Sequence, residues 1–305
     1  FPLMGLGWVT TMFQQGLVGL TSIQTILQQD LPRAKLHPLQ EHQTKELFNE
    51  GGLSVRNLNY SYPNSNKFVL QNINFDIPPG KIVGLLGRIG SGKTTLVNSL
   101  NRYLEVNPDS IFLGNKDIVS LSDHDLRTSV KTVTQEPFLF SDTVKNNITF
   151  PESNPESIDQ KNFNRIMTAA SLKEEVTRFP QKEKTMVGEK GIMLSGGQKQ
   201  RISLARAMLK PCDLLILDNV LSAVDYETER KLLSQIYSLV TPVNNNLPQA
   251  KSILIVSHRV TSMIRADWIL ILDEGKIVDQ GKHTELVKRP GYYNEMWKMQ
   301  NEQNS

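Results

Sequence analysis

From residue 53 onward, short apolar runs alternate with stretches whose apolar positions recur at helical spacing. "FVLQNINFDI" (68–77), "KIVGLL" (81–86), "LLILD" (214–218), "SILIVSH" (252–258) and "WILILDEGKIVDQG" (268–281) predict strands. Between them, "KTTLVNSLNRYL", "QKQRISLARAML" and "YETERKLLSQIYSLV" predict helices, and "VKRPGYYNEMWKMQNEQNS" predicts a last helix with a fraying tail. Strands that are apolar throughout and alternate with helices imply a mainly parallel α/β sheet covered on both faces. Upstream, residues 30–52 carry two prolines, mixed charge and a closing Gly-Gly, the composition of a linker. "TPVNNNLPQAK" (241–251) predicts a polar surface loop, and no internal repeat is present. The first 29 residues are apolar, but Gln14 and Gln15 interrupt them before the roughly 18 uninterrupted residues of a spanning helix. They fit either an amphipathic surface helix or the last turns of a membrane helix. They lack the basic start of a signal peptide.

Composition narrows the class. Of 305 residues, 39% are hydrophobic and 21% charged, as in a globular chain with a full core. A net charge of +3 is too small to argue for a nucleic-acid partner. Cys212 is the single cysteine, so one chain can build neither a disulfide framework nor a cysteine zinc site, and a reducing compartment fits.

"GRIGSGKT" follows one predicted strand and opens one predicted helix, the context that the phosphate-binding pattern G-x-x-x-x-G-K-[ST] requires. Its glycines let successive backbone N–H groups turn toward phosphate oxygens, and the helix N-terminus adds positive potential. The candidate cradle comprises Gly87, Arg88, Ile89, Gly90, Ser91, Gly92, Lys93, Thr94 and Thr95. Lys93 is expected to reach the β- and γ-phosphates of ATP, and the Thr94 hydroxyl to sit on Mg²⁺. Asp218, ending "LLIL", is the matching acid that holds Mg²⁺ through water. A second cradle follows. Ser195 is a candidate N-cap and, with Gly196 and Gly197, leaves backbone N–H groups open to an anion. It has no lysine, which suggests a nucleotide held by another molecule.

"LSGGQ" (194–198) followed by "KQRISLARA" resembles the signature of ATP-binding cassette proteins, and the order of "GRIGSGKT", "LSGGQ" and "LLILD" matches that family across residues 53–300. The resemblance implies the P-loop NTPase fold of ABC ATPases: a mainly parallel core sheet, an antiparallel β subdomain and a helical signature subdomain. It implies a head-to-tail dimer in which Ser195, Gly196, Gly197 and Gln198 of one chain face the nucleotide of the other. It also assigns Tyr62 to the adenine, with Tyr60 as the fallback, and Gln135 to Mg²⁺ and to coupling with a membrane domain. Asp225 in "SAVD" becomes an interface residue and His258 a γ-phosphate contact. "TMVGEKG" (185–191) is similar to a stretch of the exporter branch. On that resemblance residues 1–29 become the end of a last transmembrane helix, 30–52 the linker, 53–300 the cassette on the cytoplasmic face of a membrane, and 301–305 a tail.

Asn219 departs from the family pattern, where the residue after the strand-end aspartate is a glutamate that deprotonates water. An amide can bind a water but cannot take its proton, so ATP binding should survive while turnover slows. An intact "LSGGQ" beside this lesion resembles the degenerate half of a heterodimeric exporter, whose partner half-transporter carries the active site. A homodimer bearing a trapping substitution and an ATP-gated clamp without transport are the alternatives.

Overall fold

The computed structural model describes residues 2–28, 47–63, 65, 67–152, 158–188, 194–221, 226–240 and 250–302. The chain divides into two compact units, Phe1–His37 and Pro38–Ser305. In the first, α1 (Pro2–Leu27) is one continuous helix without a charged residue. At 100° per residue, Thr10, Thr11, Gln14, Gln15, Thr21, Ser22 and Thr25 share one polar stripe, and the rest of the surface is largely apolar. The hydroxyls of Thr10, Thr11, Thr21, Ser22 and Thr25 donate back to carbonyls one turn earlier, so these five side chains are satisfied within the helix. Among the described residues no helix is long and apolar enough to cross a membrane.

The second unit holds two sheets. β1 (Leu53–Tyr60), β2 (Leu70–Ile77), β4 (Ile111–Leu113) and β5 (Lys116–Asp117) form an antiparallel sheet in the order β2-β1-β4-β5. β3 (Ile82–Gly87), β6 (Val130–Val133), β7 (Cys212–Asp218), β8 (Ala250–Ser257), β9 (Trp268–Asp273) and β10 (Lys276–Gly281) form the larger sheet, in the order β10-β9-β3-β8-β7-β6. Its strands are parallel except for β10 at one edge. The helices are α2 (Lys93–Leu100), α3 (Asp123–Ser129), α4 (Val144–Thr149), α5 (Gln160–Ala169), α6 (Lys173–Thr177), α7 (Gly196–Met208), α8 (Tyr226–Ser238), α9 (His283–Leu286) and α10 (Tyr292–Glu302).

The alternation of each strand explains the unbroken apolar runs. Leu86, Leu215, Leu217, Ile253, Ile255, Ile269 and Ile271 pack beneath α5, α7 and α8 in one core. Val83, Leu85, Leu214, Ile216, Leu254, Val256, Leu270 and Leu272 point the other way, into a core shared with α2 and the antiparallel sheet. Every residue of β3 and β7 is buried, so neither strand has a polar face to show.

Three expectations shift. "WILILDEGKIVDQG" is a hairpin, β9–β10, because Glu274 and Gly275 both take positive φ (44° and 76°), the combination that closes a two-residue turn. The helix begun by "KTTLVNSL" ends at Leu100, and Arg102 turns left-handed (φ 53°) so that its buried guanidinium reaches the carbonyl of Leu121 at 2.6 Å. The linker composition over 30–52 conceals a helical turn at 47–51, whose Leu47 and Phe48 are buried in the second core; residues 29–46 lie outside the described residues.

Gly275 also braces the glycine loop, donating from its N–H to the Ser91 carbonyl at 3.0 Å. A Cβ there would lie 2.2 Å from the Val69 carbonyl oxygen. Gly275→Ala is therefore expected to cost about 2 kcal/mol or more, read as a lowered midpoint in urea unfolding. An unchanged midpoint would show that the turn yields freely.

Candidate functional site

Parallel register brings three strand ends to one edge of the sheet. Leu86 pairs with Ser257 and Gly87 with Leu272, while Asp218 pairs with Val256. The chain then turns back through residues 88–92 into α2, with Gly90 and Gly92 at φ 82° and 105°, where a side chain would be strained. Gly92 caps α2 and no side chain supplies a cap bond, so the first-turn N–H groups are left to an outside acceptor. Ser91 is buried and its hydroxyl has no hydrogen-bond partner among the described residues. Lys93 Nζ folds back to donate to the carbonyls of Gly87 at 2.8 Å and Arg88 at 2.7 Å. Burial lowers the pKa of this ammonium, and the Asp218 carboxylate opposes that. An orphan hydroxyl, open N–H groups and a lysine turned onto its own loop fit an oxyanion chain such as a triphosphate. Ile89, at the tip, is 95% exposed.

Asp218 ends β7 almost wholly buried; burial pushes its carboxyl up and Lys93 pulls it down. Its acceptor oxygens suit a hard cation such as Mg²⁺. Asn219 then takes φ 53°, a left-handed conformation that asparagine tolerates better than most residues, and its N–H donates to the Val256 carbonyl at 2.8 Å. Its Oδ1 lies 3.1 Å from His258 Nδ1. An amide oxygen only accepts, so this pairing calls for the imidazole proton on Nδ1. Burial, then Arg259 and Lys93, hold the imidazole pKa below its usual value, against a smaller opposing pull from Glu229. Lys93, Asp218, Asn219 and His258 thus share one electrostatic neighbourhood.

Tyr62 meets the same loop from β1's side: its hydroxyl lies 3.1 Å from Thr95 Oγ1, and its ring meets Tyr60 edge-to-face at 5.2 Å. Gln135, just beyond β6, is exposed, and its carbonyl accepts from Gln200 Nε2 at 3.0 Å. Gln200 lies on α7, so this one side chain joins the Gln135 segment to the second cradle. There Ser195 and Gln198 form a reciprocal capping box: Ser195 Oγ accepts from the Gln198 N–H at 3.2 Å, and Gln198 Oε1 from the Ser195 N–H at 3.0 Å. Gln198 therefore turns inward as a cap, while Ser195 and Gly196 are exposed. Arg201 anchors the same helix through a forked pair to Glu175 at 2.7 and 2.8 Å. Within "TMVGEKG", the Val187 N–H donates to the Asp142 carbonyl at 2.8 Å; residues 189–191 and all of "SAVD", including Asp225, lie outside the described residues. Gln200, Gly275, Tyr292 and Gln300 escaped sequence reasoning. Only the helical position of Gln200, two residues after the signature, offered any hint.

A buried strand, a glycine loop, a lysine-headed helix and an acid on a neighbouring strand end together define a P-loop ATPase fold. The antiparallel sheet and the helical segment carrying the second cradle narrow it to the ABC type. The chain belongs to the ABC transporter family, whose model matches residues 70–222, just over half of its length. It is 34% identical over 299 residues to the ATP-dependent lipid A-core flippase of Pseudomonas fluorescens, covering 98% of this chain and 47% of that protein. It is 36% identical over 292 residues to the flippase of the same description from Pseudomonas aeruginosa, covering 96% and 46%. A solved structure of a bacterial Atm1-family ABC exporter with ATP bound superposes with a TM-score of 0.82 at 28% identity, over 98% of this chain and 50% of that one. The chain thus spans about half the length of the curated relatives it matches.

Proposed function

We propose that this chain is the ATP-binding cassette of an ABC exporter at the cytoplasmic face of a membrane, and that its own nucleotide site turns over slowly. The observation that carries the reading is the separation of roles: a lysine-bearing cradle at Lys93 and a lysine-free one at Ser195, in one chain. Two cradles of unequal chemistry fit a head-to-tail pair of cassettes, each nucleotide lying between the Lys93 loop of one and the Ser195 turn of the other. The residues present suit Mg-ATP. Backbone N–H groups of residues 88–94 and Lys93 would hold the phosphates, Tyr62 would lie against the base, and Thr94, Gln135 and Asp218 would hold Mg²⁺. The cation supplies charge neutralisation of the phosphates when bound. His258 and Asn219 would flank the terminal phosphate, and Asn219 has no basic group to offer a water.

Partner choice follows from the same residue. Since Ser195, Gly196 and Gly197 are intact, the chain can complete a site on a second half-transporter that carries its own carboxylate, which favours a heterodimer. The names of the relatives point the cargo toward a lipid-like amphiphile. An exposed aromatic cluster supports docking of a transmembrane domain: Phe138 meets Phe140 at 5.1 Å, Phe140 stacks on Phe150 at 4.4 Å, and the Arg206 guanidinium lies over both stacked rings. Phe138 and Phe150 are more than half exposed, an arrangement that a partner surface would cover.

Titration of the purified chain with ATP, with and without Mg²⁺, together with its sedimentation, tests this. Saturable Mg-dependent binding with ATP-dependent association is expected. Binding that drives association neither of the chain with itself nor with an Asn219→Glu copy supplied as the carboxylate-bearing partner would refute the paired-cradle reading.

A further inference from the structure

The C-terminal helix α10 touches both sides of the nucleotide site, although nothing in its sequence is nucleotide-like. It is fixed first to its own surroundings. Tyr293 is buried with its hydroxyl 2.7 Å from His283 Nδ1, and Trp297 meets the same imidazole edge-on at 4.9 Å. From that footing two side chains reach outward. Near the start of the helix, the Tyr292 ring lies under the guanidinium of Arg88, 5.1 Å from its centroid. Arg88 is the loop residue whose carbonyl receives Lys93. Two turns later, about 12 Å along the helix axis, Gln300 Oε1 accepts from the Val260 N–H at 2.9 Å.

Val260 opens the 3₁₀ turn Val260–Met263, two residues after His258. The intervening Arg259 is tied elsewhere: its guanidinium pairs at 2.8 Å with Glu229, an almost wholly buried carboxylate on α8. Arg259 N–H also donates to Ser257 Oγ at 3.0 Å. The backbone that carries His258 is therefore pinned from α8 at the next residue and from α10 at the one after. No side chain caps that 3₁₀ turn from Arg259, so Gln300 takes the place of a local cap.

We propose that Gln300 is a positioning residue for the terminal phosphate: it acts through Val260 to hold His258, and so sets how strongly the site prefers ATP to ADP. Tyr292 does the corresponding work on the other flank, holding Arg88 and with it the loop that both nucleotides share. This rests on the reading that the Lys93 loop and His258 receive the phosphates. It extends that reading to a helix outside the motifs, and assigns different parts of the nucleotide to its two ends.

The test measures dissociation constants for Mg-ATP and Mg-ADP by calorimetry on the whole chain, with thermal melting of each variant. Gln300→Leu removes the acceptor, whereas Gln300→Glu keeps one at the same reach. Loss of one neutral hydrogen bond corresponds to about fivefold, so Gln300→Leu is expected to lower the ATP-over-ADP preference about fivefold, chiefly through ATP. Gln300→Glu is expected to restore it. Tyr292→Leu is expected to weaken both nucleotides alike and leave their ratio unchanged. A Gln300→Leu chain with an unaltered ratio overturns the proposal, whether or not its melting temperature falls. So does a glutamate variant that fails to restore the ratio. If the parent chain binds no ATP at all, the underlying functional reading falls and this inference with it; parental binding with an unmoved ratio sinks the inference alone.

Discussion

Lys93→Ala is expected to reduce Mg-ATP affinity by about 10²–10³-fold while leaving the fold intact. The ammonium donates to two carbonyls of its own loop, at 2.8 and 2.7 Å, and the phosphates would replace both. Charge-assisted bonds of this kind contribute about 1.5–3 kcal/mol each, and two of them at the lower figure give roughly a hundredfold in affinity. Partial burial strengthens the case, because a half-desolvated ammonium gains more from an anion than one in bulk water. Truncation takes one donor from the carbonyl of buried Gly87 and one from that of exposed Arg88, which water can replace more readily at Arg88, a small cost to stability. Calorimetric titration beside a melting curve separates the two effects. A Kd within tenfold of the parent, at unchanged stability, would mean that the phosphates lie elsewhere.

The second large effect concerns turnover. Asn219→Glu is expected to raise steady-state ATP hydrolysis about 10²–10⁴-fold, the usual range for a well-placed general base. Two local features temper the gain. Position 219 has φ 53°, which strains a glutamate by about 1 kcal/mol more than an asparagine. The carboxylate would also inherit the His258 contact and draw the imidazole toward its charged form, which the amide does not. The rise should therefore be clear but short of the full range, and accompanied by a higher imidazole pKa in a histidine NMR titration. An ordinary rate from the parent chain would show that another group already takes the proton, and would remove the case for a slow site.

The sheet was readable because its strands are buried on both faces; a run such as that of β7, buried throughout, has no other comfortable state in water. The glycine loop was readable because its backbone demands glycine at positive φ, as at Gly90 and Gly92. The hairpin at Glu274–Gly275 was missed because β9 hides a two-residue turn inside a continuous apolar-to-polar gradient. Leu47 and Phe48 were missed because proline and charge around them outweigh two apolar residues in any window average. Gln198 shows the limit of motif reasoning: its place in the signature was legible, but its side chain spends its hydrogen bond on the helix cap. The contacts of Tyr292 with Arg88 and of Gln300 with Val260 join residues far apart in sequence, and no local pattern announces them.

The bond from Gln200 to the Gln135 carbonyl has a consequence that neither cradle shows alone. In the paired-cradle proposal it is a shared constraint between the Gln135 segment of this chain's own site and the helix α7 that would face the other chain's site. The remaining oxygen of Gln200 is buried without a partner among the described residues, so the contact has no easy substitute. Shared constraints work in both directions by equal amounts of free energy. Under the proposed pairing of a slow site with a fast one, a nucleotide held for a long time at the first would be a standing effector of the second, biasing each cycle without being consumed in it.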